Sequence, residues 1–187
     1  MSPPKIPALG YALLGLLQMK PSSGYDLRKV FSSTSMKTYS DSPGAIYPAL
    51  NRLQKQALIR GTVEQRSGLR QRQVFRLTPK GLAELKQWIT RAVTREDLVR
   101  GGQEVMLRFA FSEPAIGPAA SLAILKSLET ALQPHLKHLR EQLQAMKAAP
   151  ASARLALDCG IRSYESLFDW TRYAINTYEK EGKRGTS

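Results

Sequence analysis

The chain has 187 residues, 42% of them apolar, with 28 Lys+Arg against 15 Asp+Glu and a formal net charge of +13. The apolar share suffices for a buried core and excludes a wholly disordered chain, while the single cysteine, Cys159, excludes an internal disulfide framework and a four-cysteine zinc site. No stretch approaches the roughly 18 uninterrupted apolar residues of a membrane span, so a soluble protein of the reducing cytoplasm is expected.

Ala8 to Leu17 is apolar and follows Lys5, in the manner of a secretion signal. Prolines at 3, 4 and 7, the immediate return to Gln18 and Lys20, and the lack of a small-x-small site argue against a leader. The helical spacing of Leu9, Leu13, Leu16 and Leu17 predicts a short buried first helix instead, ended by Lys20-Pro21-Ser22-Ser23-Gly24. Ser23 is placed to cap a second helix with Tyr25, Leu27, Val30 and Phe31 on its apolar side. After the polar stretch 32–41, Ser42 and Pro43 open a third helix whose apolar face is Ile46, Leu50, Leu53 and Ala57. Pro48 inside this segment predicts that the regular helix begins near Gly44, with Pro48 still close to the first turn.

The period then changes from helix to strand. Leu58 to Val63 and Gln73 to Leu77 are rich in β-branched and aromatic residues and predict a β-hairpin with the polar tip 64–72. Thr78-Pro79-Lys80-Gly81 reads as a cap with proline in the first turn of a fourth helix carrying Leu82, Leu85, Ile89 and Ala92. A short helix over 105–111 and a linker over 112–118 follow. Two long helices close the chain: Leu132, Leu136, Leu139, Leu143 and Met146 mark one, kinked at Pro134, and Leu157, Ile161, Tyr164, Phe168, Thr171, Ile175 and Tyr178 the other. Ala149-Pro150-Ala151 separates them, and a disordered tail is expected from Gly182.

Charge is concentrated at one end. Residues 1–100 hold 17 basic and 6 acidic residues, net +11, whereas 101–187 hold 11 and 9, net +2. Within 42–80, eight basic residues face Glu64 alone, which points to a polyanionic partner; nucleic acid is favoured over a membrane surface because the charge does not lie on one long amphipathic helix.

Three helices followed by a basic hairpin match a winged helix-turn-helix, in which the third helix enters the major groove of double-stranded DNA. With Ile46, Leu50 and Leu53 inward, Gly44, Pro48, Asn51, Arg52 and Lys55 point away; Asn51 suits adenine, and Arg52 guanine or phosphate. Tyr47 either donates to a phosphate or closes the core against Tyr25. Arg66, Arg70 and Arg72 supply the wing charge, and Tyr25 and Ser42 complete the expected DNA-binding set.

The run Tyr11 to Leu17, Ser23-Gly24-Tyr25-Asp26-Leu27, Gly44-Ala45-Ile46-Tyr47-Pro48-Ala49-Leu50, Leu58-Ile59 and Val74-Phe75-Arg76-Leu77-Thr78-Pro79-Lys80-Gly81 resembles the PadR family of transcriptional regulators over residues 8 to 85. The resemblance implies a bacterial or archaeal winged-helix protein, usually a repressor, that dimerises through its C-terminal helices, and the long C-terminal half is similar to the branch that includes phenolic-acid-responsive repressors. Where the family often has Glu-x-x-Gly after the recognition helix this chain has Gln54 and Ala57, which predicts a different turn into the first strand. The wing reads Ser67-Gly68-Leu69-Arg70-Gln71-Arg72, without the proline of the usual Gly-Arg-Pro-Arg.

The expected architecture is mainly α with a small β-hairpin: a winged-helix domain over 1–95, a helical dimerisation domain over 96–181 and a tail over 182–187. The homodimer seam is expected at Leu132, Leu136, Leu139, Leu143, Leu157, Ile161, Tyr164, Phe168 and Ile175, and a small aromatic effector at Trp88, Tyr164, Phe168 and Trp170. His135 and His138 lack a third ligand and read as surface or interface residues, and Cys159 as a buried inert thiol with a redox sensor as the minor alternative. Neither nucleophile motif nor phosphate loop is present, so an enzyme, a metal and a cofactor are not expected; the rival to a DNA-binding regulator is a winged-helix module that binds protein.

Overall fold

The computed structural model describes residues 6–34, 36, 39, 42–64, 72–100 and 102–184. The chain divides after Ile89 into two compact units, six residues before the boundary expected at 95.

The first unit holds α1 (Ala8–Met19), β1 (Ser22–Ser23), α2 (Gly24–Ser33), α3 (Pro43–Lys55), β2 (Ile59–Glu64), β3 (Arg72–Leu77) and the greater part of α4 (Pro79–Thr90). The strands form one antiparallel sheet in the order β1-β3-β2, with Glu64 opposite Arg72 at the far end of the hairpin. Strand β1 is two serines, too short for any periodic signal. Leu13 and Leu14 of α1, Leu27 and Phe31 of α2, Ile46 and Leu50 of α3, and Leu85 and Ile89 of α4 are sealed in the core. Tyr25, expected on the apolar side of α2, is instead 60% exposed, because Leu27 and Phe31 already fill the inward face.

The start of α3 follows its caps. Ser42 Oγ accepts the Gly44 amide at 3.2 Å, and Pro43 occupies the first turn, where no helical donor is required. Pro48 therefore lies in the second turn, deeper than expected, and removes the bond to the Gly44 carbonyl. The end of α3 also differs from expectation. Ala57 is not on the helical face: it lies beyond the helix with φ 58°, the left-handed region. Its amide donates to the Gln54 carbonyl (2.9 Å) and the Leu58 amide to the Leu53 carbonyl (2.9 Å), while Leu58 and Leu53 are both buried. These are the two bonds and the apolar contact of a Schellman turn, built on alanine where glycine is the usual residue.

Thr78-Pro79-Lys80-Gly81 locks this turn to α4. The Thr78 amide donates to the Leu58 carbonyl at 3.1 Å, and its hydroxyl lies 2.8 and 3.0 Å from the Ala57 and Leu58 carbonyls while accepting the Gly81 amide at 3.0 Å. Lys80 Nζ donates to the Gln56 carbonyl at 2.9 Å. A Cβ on Gly81 would run into the Leu58 carbonyl oxygen, so this position admits only glycine. Ala92, expected on α4, is exposed past its end, where Val93 turns inward and its amide donates to Ser127 Oγ at 2.9 Å.

The second unit comprises α5 (Arg95–Val99), α6 (Gln103–Ile116), α7 (Pro118–Ala145) and α8 (Ala151–Arg184). Helix α5 was not expected, although Thr94-x-x-Asp97 is a capping box that the sequence displays: each side chain meets the other residue's amide. Helix α6 extends the short helix through Ile116, so the linker expected at 112–118 shrinks to Gly117 between α6 and α7. Ser112 stays helical and buried because its hydroxyl finds the Phe109 carbonyl (2.7 Å) and Ser121 Oγ (2.6 Å). Helix α7 continues through Pro134, and α8 runs to Arg184, so the tail expected from Gly182 begins inside a helix.

Helices α7 and α8 are antiparallel, their register marked by Arg140–Glu165 at 2.6 Å and Lys126–Glu179 at 3.0 Å. Leu132, Leu136, Ile161 and Ile175, expected at a dimer seam, are buried within the protomer, where they pack the helical hairpin; Leu139, Leu143, Leu157, Tyr164 and Phe168 are half-buried. Cys159 is exposed rather than buried, as α8 turns Ile161 inward in its place. His135 is buried rather than on the surface: its ring meets Tyr164 edge-on at 4.6 Å, and neither ring nitrogen has a hydrogen-bond partner. Burial, reinforced by the charges of Arg95 and His138, holds its imidazole below the ordinary value.

Gly81→Ala is expected to cost about 2–4 kcal/mol and Ala57→Gly to add about 1 kcal/mol in urea unfolding, the first by collision with a carbonyl and the second by relieving a left-handed alanine. For His135 the unfolded chain takes the proton first. Its contribution is therefore complete above about pH 6.5 and is lost as pH falls through the lower folded value. Urea titrations between pH 7.5 and 5 should show this loss, and His135→Leu should flatten it.

Candidate nucleic-acid interface

The outward side of α3 carries Gly44, Tyr47, Pro48, Asn51, Arg52 and Lys55, all exposed, opposite buried Ile46, Ala49, Leu50 and Leu53. Residues 48, 51, 52 and 55 recur at steps of three, one and three, which keeps them on one helical face. Among the described residues, the side chains of Asn51, Arg52 and Lys55 have no hydrogen-bond or ionic partner. Such a face combines base-reading and phosphate-binding side chains with no internal competitor.

Tyr47 is 45% exposed and rests on Gly24, where a Cβ would come within 2.5 Å of its ring. It does not close the core against Tyr25, whose ring carries the Arg28 guanidinium at 5.6 Å. Both phenols remain at the surface beside the capped start of α2.

The remaining basic residues of 42–80 are not equivalent. Arg72 Nη2 reaches Asp26 Oδ2 at 2.6 Å, Arg76 Nη2 reaches Glu64 Oε1 at 3.4 Å, and Lys80 is held on the Gln56 carbonyl. Arg60 is exposed without a partner among the described residues. Arg66 and Arg70, expected at the wing tip, lie outside the described residues. Of the expected wing arginines, Arg72 is thus committed to bracing the hairpin on α2.

Asp26 is the site residue that the pattern of basic side chains did not reveal. Its carboxylate accepts the Ser23 amide (3.1 Å) and hydroxyl (2.9 Å) as well as Arg72, and the Ser23 hydroxyl in turn accepts the Asp26 amide (3.3 Å). Burial raises its pKa, but the Ser23 bonds, then Arg72 and Lys20, outweigh it and hold the carboxyl below the ordinary value. The signal was present in the sequence as Ser23-x-x-Asp26, a capping box.

The four aromatic residues expected to form an effector site have separate partners. Trp88 is buried and stacks on Tyr11 at 4.3 Å. Tyr164 faces His135 and donates to the Leu98 carbonyl at 2.9 Å, Trp170 meets Phe109 edge-on at 5.6 Å, and Phe168 lines a shallow groove with Leu136 and Arg140. No ring contact among the described residues joins Tyr164, Phe168 and Trp170 to one another.

Residues 13–87, which include the second half of α1, the capped α2, the exposed α3 face and the braced hairpin, match the transcriptional regulator PadR-like family. The chain carries a PadR-like domain. Over 103 residues it is 30% identical to the negative transcriptional regulator PadR of Bacillus subtilis, covering 55% of this chain and 56% of that protein. Over 60 residues it is 38% identical to the transcriptional regulator YqjI of Escherichia coli, covering 32% of this chain and 28% of that protein. The matches thus span about half the length of the first relative and under a third of the second. A crystal structure of Bacillus subtilis PadR in complex with operator DNA is similar at 19% identity and a TM-score of 0.43, covering 92% of this chain and 99% of that one.

Asp26→Asn in the PadR-like domain is expected to cost about 1 kcal/mol at pH 7 by weakening the cap and the Arg72 pair. A depressed folded pKa means that this contribution is complete above the unfolded value near 3.9 and is lost as pH falls through the folded one. The difference between the unfolding curves of the two proteins should therefore shrink as pH is lowered from about 3.9.

Proposed function

We propose that this protein is a DNA-binding transcriptional regulator and not an enzyme, a homodimer that represses transcription from a two-fold symmetric operator. The observation that carries the reading is the α3 face, where the Asn51, Arg52 and Lys55 side chains stand exposed over a sealed apolar side, without a partner among the described residues. Asn51 reads a base edge, Arg52 a guanine or a phosphate, and Lys55 and Arg60 neutralise backbone charge. Arg66 and Arg70 add two positive charges to the sequence between β2 and β3, and Arg72 ties the start of β3 to Asp26. Ser42 fixes the α3 start, whose exposed Gly44 lets a phosphate approach the helix amides.

Dimerisation assigns the second unit a role. Leu155, Trp170 and Tyr173 leave apolar surface exposed on α8, and Leu139, Leu143, Leu157, Tyr164 and Phe168 are half-buried beside it. A two-fold axis there would set two recognition helices about 34 Å apart, one turn of B-DNA. Repression is supported by the name of the Bacillus relative, a negative transcriptional regulator. Release by a small aromatic ligand is the extension that the half-buried rings of Tyr164 and Phe168 and the exposed ring of Trp170 support; such a ligand acts only through different affinities for two dimer geometries. No helix among the described residues is long and apolar enough to cross a membrane, in keeping with a cytoplasmic site of action.

The test is equilibrium binding of the full chain to its own promoter fragment and to a scrambled duplex across salt. The proposal expects preference for the promoter and a steep salt dependence. Asn51→Ala should reduce discrimination at particular base pairs by about 1–3 kcal/mol, whereas Lys55→Ala should weaken both duplexes alike and lower the salt slope by about one. Binding that ignores salt and sequence would favour the protein-interaction alternative.

A further inference from the structure

A groove of about 360 Å³ opens between the start of α1 and the last turns of α3. Ile6, Leu9, Ala49 and Leu53 supply apolar lining, and the exposed Arg52 and Lys55 complete it. We propose that this groove binds a small amphipathic carboxylate, its apolar body seated on the leucine and isoleucine side chains and its carboxylate held by Arg52 and Lys55.

Size and charge select this class. The volume lies at the lower end of small-molecule sites, too small for a folded partner's helix. A phosphodiester backbone would satisfy the cations but has no apolar body for the opposite wall, while a neutral hydrocarbon would leave both cations unused. Arg52 and Lys55 meet no carboxylate among the described residues, so an incoming one has no internal rival. The negative pole of α3 would ordinarily repel an anion here. It is muted: the Arg52, Leu53 and Gln54 carbonyls are occupied by the Gln56, Leu58 and Ala57 amides, and the Gln56 carbonyl accepts Lys80 Nζ.

The location gives the site a consequence. A carboxylate paired with Arg52 and Lys55 withdraws from the α3 face two of the cations assigned above to DNA, so ligand and duplex compete for the same side chains. This coupling rests on the DNA-binding reading; occupancy of the groove does not. The groove has no lining residue in common with the Tyr164, Phe168 and Trp170 set, and the competition needs no change of dimer geometry.

Octanoate and its uncharged counterpart octanamide are the probes, titrated calorimetrically into the full chain without DNA, with amide shifts recorded by NMR. The proposal expects saturable binding of one octanoate per chain, with shifts centred on Gly10, Leu53 and Gln56. Octanamide should bind at least tenfold more weakly, and Arg52→Gln with Lys55→Gln, both surface changes that spare the core, should weaken octanoate by about tenfold while leaving octanamide unchanged. Absence of saturable binding, equal affinity for the two probes, or shifts centred elsewhere overturns it. So do concentration-dependent shifts at those amides without ligand, which would assign the groove to a second copy. With octanoate at ten times its Kd, duplex affinity should fall about tenfold, the result for mutually exclusive binding. Octanoate bound with unchanged duplex affinity overturns the coupling, whereas a chain that binds octanoate in the groove and no duplex overturns the DNA-binding reading alone.

Discussion

The carbonyl of Leu58 is the point on which the PadR-like domain is closed. It receives the amide and hydroxyl of Thr78, and it approaches Gly81 so closely that no side chain fits there. One backbone oxygen thereby joins the end of α3, the first residue before β2 and the start of α4. Beside it, the Schellman turn at Ala57 sets the direction in which the chain leaves α3 for the hairpin, and Lys80 holds the intervening Gln56 carbonyl. Because α3 and the hairpin are fastened at the same junction, the described part of the proposed interface is carried by regular secondary structure.

A second constraint sorts the positive charge. Sequence counting treats the eight basic residues of 42–80 as one polyanion-binding group, but two acidic side chains divide them. Asp26 takes Arg72 and Glu64 takes Arg76, both in partly exposed pairs that are weak as stabilising elements but sufficient to orient long side chains. Among the described residues, Arg52, Lys55 and Arg60 are left with their charge unopposed. The acidic residues thereby decide which cations remain available to the proposed partner.

Much of the first unit was legible because its signals are local. Ser23, Ser42 and Pro43 mark helix starts, the change from period 3.6 to 2 marks the hairpin, and the burial of Ile46, Leu50 and Leu53 leaves the other α3 face outward. What was missed depended on tertiary partners. Ala57 resembles a helical alanine until Thr78 and the Leu53 carbonyl draw the chain into a left-handed turn. Strand β1 exists because β3 lies beside it, and Ser112 stays in a helix because Ser121 is near. In the second unit the leucine spacing of α7 and α8 was read correctly as helical, but periodicity does not say whether a stripe meets its own chain or another. Leu132, Leu136, Ile161 and Ile175 meet their own, and the same hairpin buries His135 and turns Cys159 out. The capping boxes at Ser23 and Thr94 were visible and underused: one would have flagged Asp26 and the other α5.

In the proposed function, α3 and the hairpin act as a single surface against double-stranded DNA. The direct measurement is backbone amide shift mapping of the full chain titrated with its promoter duplex. The account predicts the largest changes over residues 42–55, together with Arg60 and the hairpin residues 59–77, and small ones along the buried sides of α7 and α8. Changes concentrated on the exposed side of α8, with α3 unmoved, would contradict it.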